Sequence, residues 1–293
     1  MDIVALLVGL GPLLGWGLFP TIASLYGGKP VNQIFGATVG TLIFAAVFAL
    51  IQGMSLPTGM DLLFSLISGA GWAFGQIITF KAFALIGSSK AMPITTAFQL
   101  LGASLWGVFA LGDWPGVTNK IIGFTALLVI LIGARMTVWK ETQESQYSKN
   151  LKRAVILLLI GEIGYWAYSA APQATDIGGM QAFLPQAMGM VVVAVIYALM
   201  NLKHQNAFTE SVSWKQIISG FFFAFAALTY LISAQPDMNG LATGFVLSQT
   251  SVVLATLTGI YFLKQKKTPK ELVITIIGLV LILAAATVTV FIK

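Results

Sequence analysis

The sequence contains no cysteine, only one histidine, and charged side chains at just 9% of its 293 positions. The lack of cysteine excludes a disulfide framework and thiolate metal sites. With a single histidine, the chain also has few ligands and bases for metal or nucleophilic chemistry, so we expect neither an enzyme nor a bound cofactor. Soluble domains are about one-quarter charged, so the scarcity of charge excludes an ordinary soluble protein.

Hydrophobic residues make up 57% of the sequence, and the mean hydropathy is +0.89. About 20 apolar residues are needed to cross the hydrocarbon core of a bilayer. The chain begins with an acidic end and no small-residue cleavage site, which favours a retained first span over a signal peptide. Charges and turn residues divide the sequence into an all-α integral membrane protein with ten predicted transmembrane helices, at 3–25, 31–52, 61–82, 91–112, 119–139, 152–172, 181–201, 214–234, 241–263 and 271–292.

The positive charges are divided unevenly between the two ends of these helices. Of the 16 Lys and Arg residues, only Lys120 and Lys293 fall at one end. By the positive-inside rule the richer end lies in the cytoplasm, which places both termini outside the cell membrane. Because this bias accounts for the net charge of +6, we expect no nucleic-acid partner. The richer end receives Lys29, Lys81, Lys90, Arg135, Lys140, Lys149, Lys152, Arg153, Lys203, Lys215, Lys264, Lys266, Lys267 and Lys270.

The two halves of the chain resemble each other at an offset of about 150 residues. The pairs in register are Gly11 with Gly161, Trp16 with Trp166, Gly28 with Gly178, Ala37 with Ala187 and Gln99 with Gln249. We therefore predict a first five-helix repeat at 1–140, a polar cytoplasmic linker at 141–151 and a second five-helix repeat at 152–293. An odd number of helices per repeat inverts the second copy, which is the plan of many secondary transporters with a substrate site at the midplane.

Three stretches, GKPVNQIFGATVGTLIF at 28–44, GWAFGQ at 71–76 and IGSSKAMPITT at 86–96, resemble the glucose/ribose porter family of the drug/metabolite transporter superfamily. The similarity extends over the whole chain, is weaker in the second half, and is strongest to bacterial ribose uptake proteins. It implies a ten-helix sugar uptake carrier driven by proton symport. The positions that match family motifs are Asn32, Gln33, Trp72, Gln76, Ser89, Lys90, Pro93, Thr95 and Gln99.

Polar side chains inside membrane helices indicate a cavity, because the helices satisfy their own backbone groups. A neutral sugar needs amides and hydroxyls beside aromatic planes. Two alternatives to sugar binding stay open. The amides could only join helices, a contact that contributes about 0.6 kcal/mol, and the tryptophans could belong to an interfacial belt. We assign Trp114, Trp139 and Trp214 to that belt. The predicted sugar-binding residues are Trp16, Asn32, Gln33, Trp72, Gln76, Thr95, Gln99, Tyr165, Trp166, Gln186 and Gln249.

One acid lies at the centre of a predicted helix, in the stretch LLLIGEIGYWAYSA at 157–170. Glu162 is about ten residues, or roughly 15 Å, from either end of this helix. An ionised acid at that depth costs at least about 2.5 to 3.5 kcal/mol, so it should face the bundle interior. Tyr165 and Trp166 follow on the same face. We predict that Glu162 binds the coupled proton; the alternative is a permanently protonated acid bonded between helices.

These observations predict a secondary active carrier that imports D-ribose or glucose with protons by alternating access, as a monomer or homodimer in the lipid bilayer. An exporter of drugs or metabolites with the same fold, using Glu162 for proton antiport, is the nearest alternative. A membrane enzyme would need a cluster of catalytic or metal-binding side chains, and a passive receptor would not need a deeply placed acid. Lys81 and Arg135 are explained as topology anchors, while Lys90 is also a candidate for gating.

Overall fold

The computed structural model describes residues 3–112, 114–142, 145–235 and 237–292. Asp2, the acidic start of the chain, and Lys293, counted among the basic residues above, lie outside these ranges. The predicted all-α membrane class is confirmed. Within the described residues, ten helices are long and apolar enough to cross a membrane: Ile3–Tyr26, Pro30–Ile51, Gly59–Ile86, Ser88–Phe109, Gly116–Thr137, Ser145–Ala174, Gly179–Asn201, Ser211–Ser233, Gly244–Tyr261 and Pro269–Phe291. We call them the first to tenth spans.

Several of these spans are interrupted rather than continuous. The first span is divided at Leu10, next to Pro12, which has no backbone N–H to donate to the helix. The helix of the eighth span restarts at Ile217. In the ninth, the helix Gly240–Gln249 gives way to Ser251–Tyr261 at Thr250, whose hydroxyl bonds the carbonyl of Leu247. Interrupted helices in a membrane are tolerated where the freed backbone is buried in protein or lines a cavity.

The helix of the sixth span begins inside the stretch 141–151 that was predicted as a linker. A helix runs over Ser145–Ala170 and continues as a 3-10 turn over Ala171–Ala174. Its first turn is held by Tyr147, whose hydroxyl donates to the carbonyl oxygen of Val138 at 2.7 Å. The sixth span therefore begins seven residues before the predicted position 152.

The packing pairs of the bundle come in counterparts. The third span packs against the sixth and seventh, as the eighth packs against the first and second. The fourth also packs against the sixth, as the ninth packs against the first, and second–seventh, fourth–ninth and fifth–tenth are the other extensively packed pairs between spans that are not consecutive. Exchanging each span with the one five places later maps these pairs onto themselves. Two related five-helix repeats would produce this pattern, although their inversion remains a prediction.

Close helix crossings depend on glycines that occupy corresponding places in the two halves. A Cβ at Gly40 of the second span would overlap the carbonyl oxygen of Ile217 in the eighth. A Cβ at Gly189 of the seventh span would overlap the carbonyl oxygen of Leu66 in the third. The two glycines are 149 residues apart along the chain, and the two carbonyl residues, Leu66 and Ile217, are 151 apart. Both separations are close to the offset seen in the sequence. The packing role expected of small residues in membrane helices therefore applies at both crossings.

Trp114 is a correction to the predicted interfacial belt. Its side chain is only 4% exposed, packs against Gly123, and donates from Nε1 to the carbonyl oxygen of Thr289 at 3.1 Å. Trp114 turns inward because two neighbouring spans receive it, the fifth with the recess at Gly123 and the tenth with the carbonyl acceptor of Thr289. Trp214, by contrast, is 48% exposed, as a belt position requires.

Candidate functional site

A cavity of about 190 Å³ lies inside the bundle, between spans from both halves. Its walls come from the first, third and fourth spans and from their counterparts, the sixth, eighth and ninth. It is lined by Trp16, Phe19, Trp72, Gln76, Thr79, Met92, Thr95, Thr96, Gln99, Tyr165, Tyr168, Ser169, Phe223, Tyr230, Phe245, Ser248, Gln249 and Ser251.

Aromatic rings form one wall of this cavity. The rings of Trp72 and Phe223 are 4.1 Å apart between centroids, and Phe19 lies 5.7 Å from Phe223. Trp16 continues the wall at 5.7 Å from the ring of Tyr230. The apolar face of a sugar ring or another flat, weakly polar ligand can pack against such a surface.

The third and sixth spans place a hydrogen-bonded amide in the cavity. The hydroxyl of Tyr165 donates to Oε1 of Gln76 at 3.0 Å and shares a hydrogen bond with the hydroxyl of Thr79 at 2.9 Å. Because its oxygen accepts from the phenol, the orientation of the Gln76 amide is fixed. Its NH₂ group has no partner among the described residues, so it is available to donate to a ligand.

Further amides and hydroxyls line the fourth and ninth spans. Nε2 of Gln99 donates to Oγ1 of Thr95 over a long 3.4 Å, and Nε2 of Gln249 donates to Oγ of Ser248 at 3.2 Å. The amide oxygens of both glutamines have no partner among the described residues. Gln249 lines the cavity next to the break in the ninth span.

Trp16 contributes a donor that the protein itself does not satisfy. Its indole Nε1 is buried and has no hydrogen-bond partner within the described part of the chain. Buried donors are almost always paired, and an exception in a cavity wall is best explained by a ligand or water. A ligand with hydroxyl or carbonyl oxygens would satisfy it.

Two of the predicted sugar-binding residues lie at the lysine-rich end instead of the cavity. Nδ2 of Asn32 donates to Oε2 of Glu210 and its Oδ1 accepts from Nε2 of Gln205, while Gln33 donates to the carbonyl oxygen of Ala23. The hydrogen bonds from Gln205 and Asn32 keep the pKa of Glu210 below its usual value. Both amides are used within the protein, so the structure assigns them to helix and loop contacts.

Gln186 and Trp166 also lie away from the cavity. Nε2 of Gln186 donates to Oγ of Ser68 at 3.1 Å, where the seventh span crosses the third. Trp166 is 48% exposed and packs its indole against Gly102 on the outside of the fourth span. The cavity thus contains Trp16 but not its counterpart Trp166, so the two do not enclose one ligand.

Glu162 is buried but does not line the cavity. Its side chain is 3% exposed, and neither carboxyl oxygen has a hydrogen-bond partner among the described residues. Tyr165, one turn further along the same helix, does reach the cavity. Glu162 therefore lies one helical turn from Tyr165, which lines the cavity. No group of three or more His, Asp or Glu side chains that could hold a metal occurs in the described ranges.

The eighth span provides cavity residues that sequence reasoning missed, Phe223 and Tyr230. Both lie 151 positions after third-span residues that line the cavity, Trp72 and Thr79. The internal offset was thus a signal for them, but it is concealed because the paired residues are not identical.

Polar contacts join the spans between this cavity and the lysine-rich end. Gln265 accepts from the backbone N–H and the hydroxyl of Ser89 at 3.0 and 2.6 Å, and its Nε2 reaches Oγ of Ser88 at 3.4 Å. The buried hydroxyls of Thr21 and Thr258 meet at 2.6 Å. We call the contacts of Gln265 with Ser88 and Ser89 the latch. The latch joins the start of the fourth span to the connection after the ninth, and the threonine pair joins the first span to the ninth.

Comparison with known proteins gives matches along the entire chain. A family model described as "Sugar transport protein" matches residues 7–292. A protein of Staphylococcus epidermidis is 82% identical and one of Staphylococcus aureus is 77% identical, each over 293 residues and 100% of both chains. Both carry the name "Putative ribose uptake protein RbsU". A solved crystal structure matches 100% of both chains with a TM-score of 0.65 at 16% identity, which supports the fold alone.

Proposed function

The chain belongs to the sugar transport protein family, and we propose that it imports a neutral monosaccharide, D-ribose, through the cavity described above. As a member of this family with ten membrane spans it is a multi-pass sugar transporter. The choice of ribose over glucose rests on the names of relatives that are 77% and 82% identical over the full chain.

The observation that carries the proposal is the division of the cavity into an aromatic wall and an amide wall. Sugars have apolar ring faces and polar edges, and this arrangement offers a partner to each. A volume of about 190 Å³ is smaller than the roughly 300 to 1,000 Å³ of sites for drug-sized ligands. It suits a single monosaccharide.

The same observations count against the export of cationic drugs. A carrier of such drugs would be expected to place a carboxylate at the site, and no acid lines the cavity among the described residues. The unsatisfied donors of Gln76 and Trp16 instead require oxygen acceptors, which every sugar supplies.

Alternating access is the transport mode that we infer from the position of the cavity between paired spans. The latch closes the lysine-rich end, which the positive-inside rule places in the cytoplasm, with both termini outside. This conformation corresponds to a carrier closed toward the cytoplasm. Import then requires the latch to open, so that the fourth and ninth spans separate and release sugar inward.

Proton coupling is assigned to Glu162. An ionised carboxylate without a donor costs several kcal/mol in an apolar interior, so Glu162 needs either a proton or a new partner. It is one helical turn from Tyr165, whose hydroxyl orients Gln76 in the cavity wall. We propose that protonation of Glu162 and occupancy of the cavity are linked through this turn of helix.

Counterflow in proteoliposomes tests the substrate. Vesicles preloaded with unlabelled ribose should take up labelled ribose faster than empty ones, and glucose should compete according to its fit. A cationic dye in place of ribose should give no counterflow. Transport of the dye but of no sugar would overturn the proposal.

Glu162→Gln tests the coupling separately. The variant keeps a neutral side chain of the same shape, so ribose counterflow should continue while accumulation driven by a pH gradient is lost. Asp61→Asn, at the start of the third span, is the matched control and should accumulate ribose normally. Proton-driven accumulation at the wild-type level in Glu162→Gln would remove the coupling role.

A further inference from the structure

Lys90 presents a buried positive charge that the transport mechanism does not use. Its side chain is only 9% exposed, at the start of the fourth span, and it has no hydrogen-bond or ion-pair partner among the described residues. Its ammonium lies 5.5 Å from the ring centroid of Tyr147. The ammonium of Lys140 lies 4.7 Å from the same ring. An ammonium as buried as that of Lys90 is normally paired with an anion, and the half-buried Lys140 at the same ring adds a second positive charge.

A third ammonium belongs to the same group. Nζ of Lys267 donates to the carbonyl oxygen of Thr137 at 2.7 Å, and the hydroxyl of Tyr147 donates to the next carbonyl, that of Val138, also at 2.7 Å. Lys267 and the ring of Tyr147 are thus attached side by side at the end of the fifth span. Partial burial and the repulsion of Lys90 and Lys140 lower the pKa of Lys267 to about 8.

The negative charge near these lysines is insufficient to balance them. Glu271 is the carboxylate whose field acts on Lys90 and Lys267 within the described chain. Its oxygens already accept from the backbone N–H groups of Glu141 and Thr268. Glu141, the next carboxylate, is paired with Lys270 at 3.8 Å. Among the described residues, Lys90, Lys140 and Lys267 therefore carry +3 against −1 on Glu271, which leaves +2 in the cluster.

We propose that Lys90, Lys140 and Lys267 form a binding site for a phosphate group at the lysine-rich end of the bundle. A phosphate monoester carries about −1.5 to −2 at neutral pH and offers three strong acceptor oxygens. That charge matches the excess of the cluster, and the acceptors match its ammonium donors. The site joins the two halves of the chain, since Lys90 lies in the fourth span and Lys267 in the connection before the tenth.

Bound phosphate would also stabilise the latch. Lys90 follows Ser89 directly, and Lys267 follows Gln265 by two residues. An anion held by both lysines connects the same two segments that the latch joins, and so favours the conformation closed at this end. This consequence rests on the proposed function: it predicts that a phosphorylated cytoplasmic compound slows the inward release of sugar.

Inorganic phosphate is the probe for the site, and the protein in nanodiscs of neutral lipid is the sample. Calorimetric titration should give saturable binding at constant ionic strength, with chloride as the reference anion. Lys90→Gln and Lys267→Gln should each weaken binding about tenfold or more, because each removes a charge-assisted contact. Lys266→Gln, an exposed neighbour, should stay within about twofold, the spread expected for a surface charge. A thermal melt of every variant checks that it is folded.

The phosphate could come from a soluble ester or from a lipid headgroup, and nanodiscs containing phosphatidylglycerol distinguish the two. If the added phosphate still binds there, the site takes a soluble ester. If phosphatidylglycerol abolishes phosphate binding in the wild type, the headgroup occupies the same site. Absence of phosphate binding in both lipids, or binding that folded Lys90→Gln and Lys267→Gln leave unchanged, would overturn the proposal. Neither result depends on sugar transport, so the proposed function is tested independently.

Discussion

Removing the latch should open the cavity toward the lysine-rich end. Gln265→Ala deletes the acceptor of two short hydrogen bonds from Ser89 and a weaker donor to Ser88. Two such bonds at about 0.6 to 1 kcal/mol each destabilise the closed state by about 1 to 2 kcal/mol. That change raises the population of the open state by a factor of about 5 to 30.

The natural absence of cysteine makes this population measurable. Thr96→Cys places one thiol in the cavity wall, and a membrane-impermeant reagent applied from the lysine-rich side reports how often that wall is reached. Labelling from this side should be about 5 to 30 times faster when Gln265→Ala is added. Lys266→Ala, one residue away and exposed, should leave the rate unchanged. Equal labelling rates with and without Gln265→Ala would refute the role of the latch.

Three further predictions concern the site, the packing and the phosphate cluster. Tyr165→Phe removes the hydroxyl that donates to Gln76 and should weaken ribose binding about 3-fold to 15-fold. The ribose concentration that gives half-maximal counterflow measures this effect, and an unchanged concentration would contradict it. Gly40→Ala forces a Cβ onto a carbonyl oxygen and should lower the melting temperature. Gly178→Ala should not lower it, because Gly178 has a φ of −64° and open space around it. Equal effects of the two substitutions would contradict the packing argument. Phosphate affinity should fall as the pH rises through about 8, because Lys267 loses its proton there. Lys267→Gln should remove this pH dependence. A phosphate affinity of the wild type that rises over the same pH range would contradict the assignment.

Hydrophobicity was sufficient to predict the spans, because it acts locally along the chain. Polar residues at helical spacing were also informative in the third and fourth spans. Trp72 and Gln76 share one face, as do Thr95 and Gln99, and the structure brings all four to the cavity. A helix face that carries polar groups inside a membrane is unfavourable against lipid, so it turns toward the interior of the bundle.

The remaining site residues depend on helix rotation, which single-sequence patterns do not determine. Trp166 and Tyr165 are adjacent, yet Tyr165 turns into the cavity and Trp166 turns outward, because Gly75 and Gly102 admit them on opposite sides of the sixth span. Asn32 was expected at the site because amides are rare in membranes, but it lies at a span end, where it binds loop residues. Residues near span ends have such partners available, and midspan residues do not.

The central claim is that a monosaccharide binds between the aromatic and amide walls of the cavity, and equilibrium binding of labelled ribose to the purified protein tests it most directly. The wild type should bind ribose saturably at one site. Gln76→Leu should weaken that binding about tenfold, the expected cost of one lost hydrogen bond and an unsatisfied sugar hydroxyl, whereas Gln146→Leu at the exposed start of the sixth span should not. Ribose affinity that is the same in the wild type and in folded Gln76→Leu would contradict the assignment of the cavity as the sugar site.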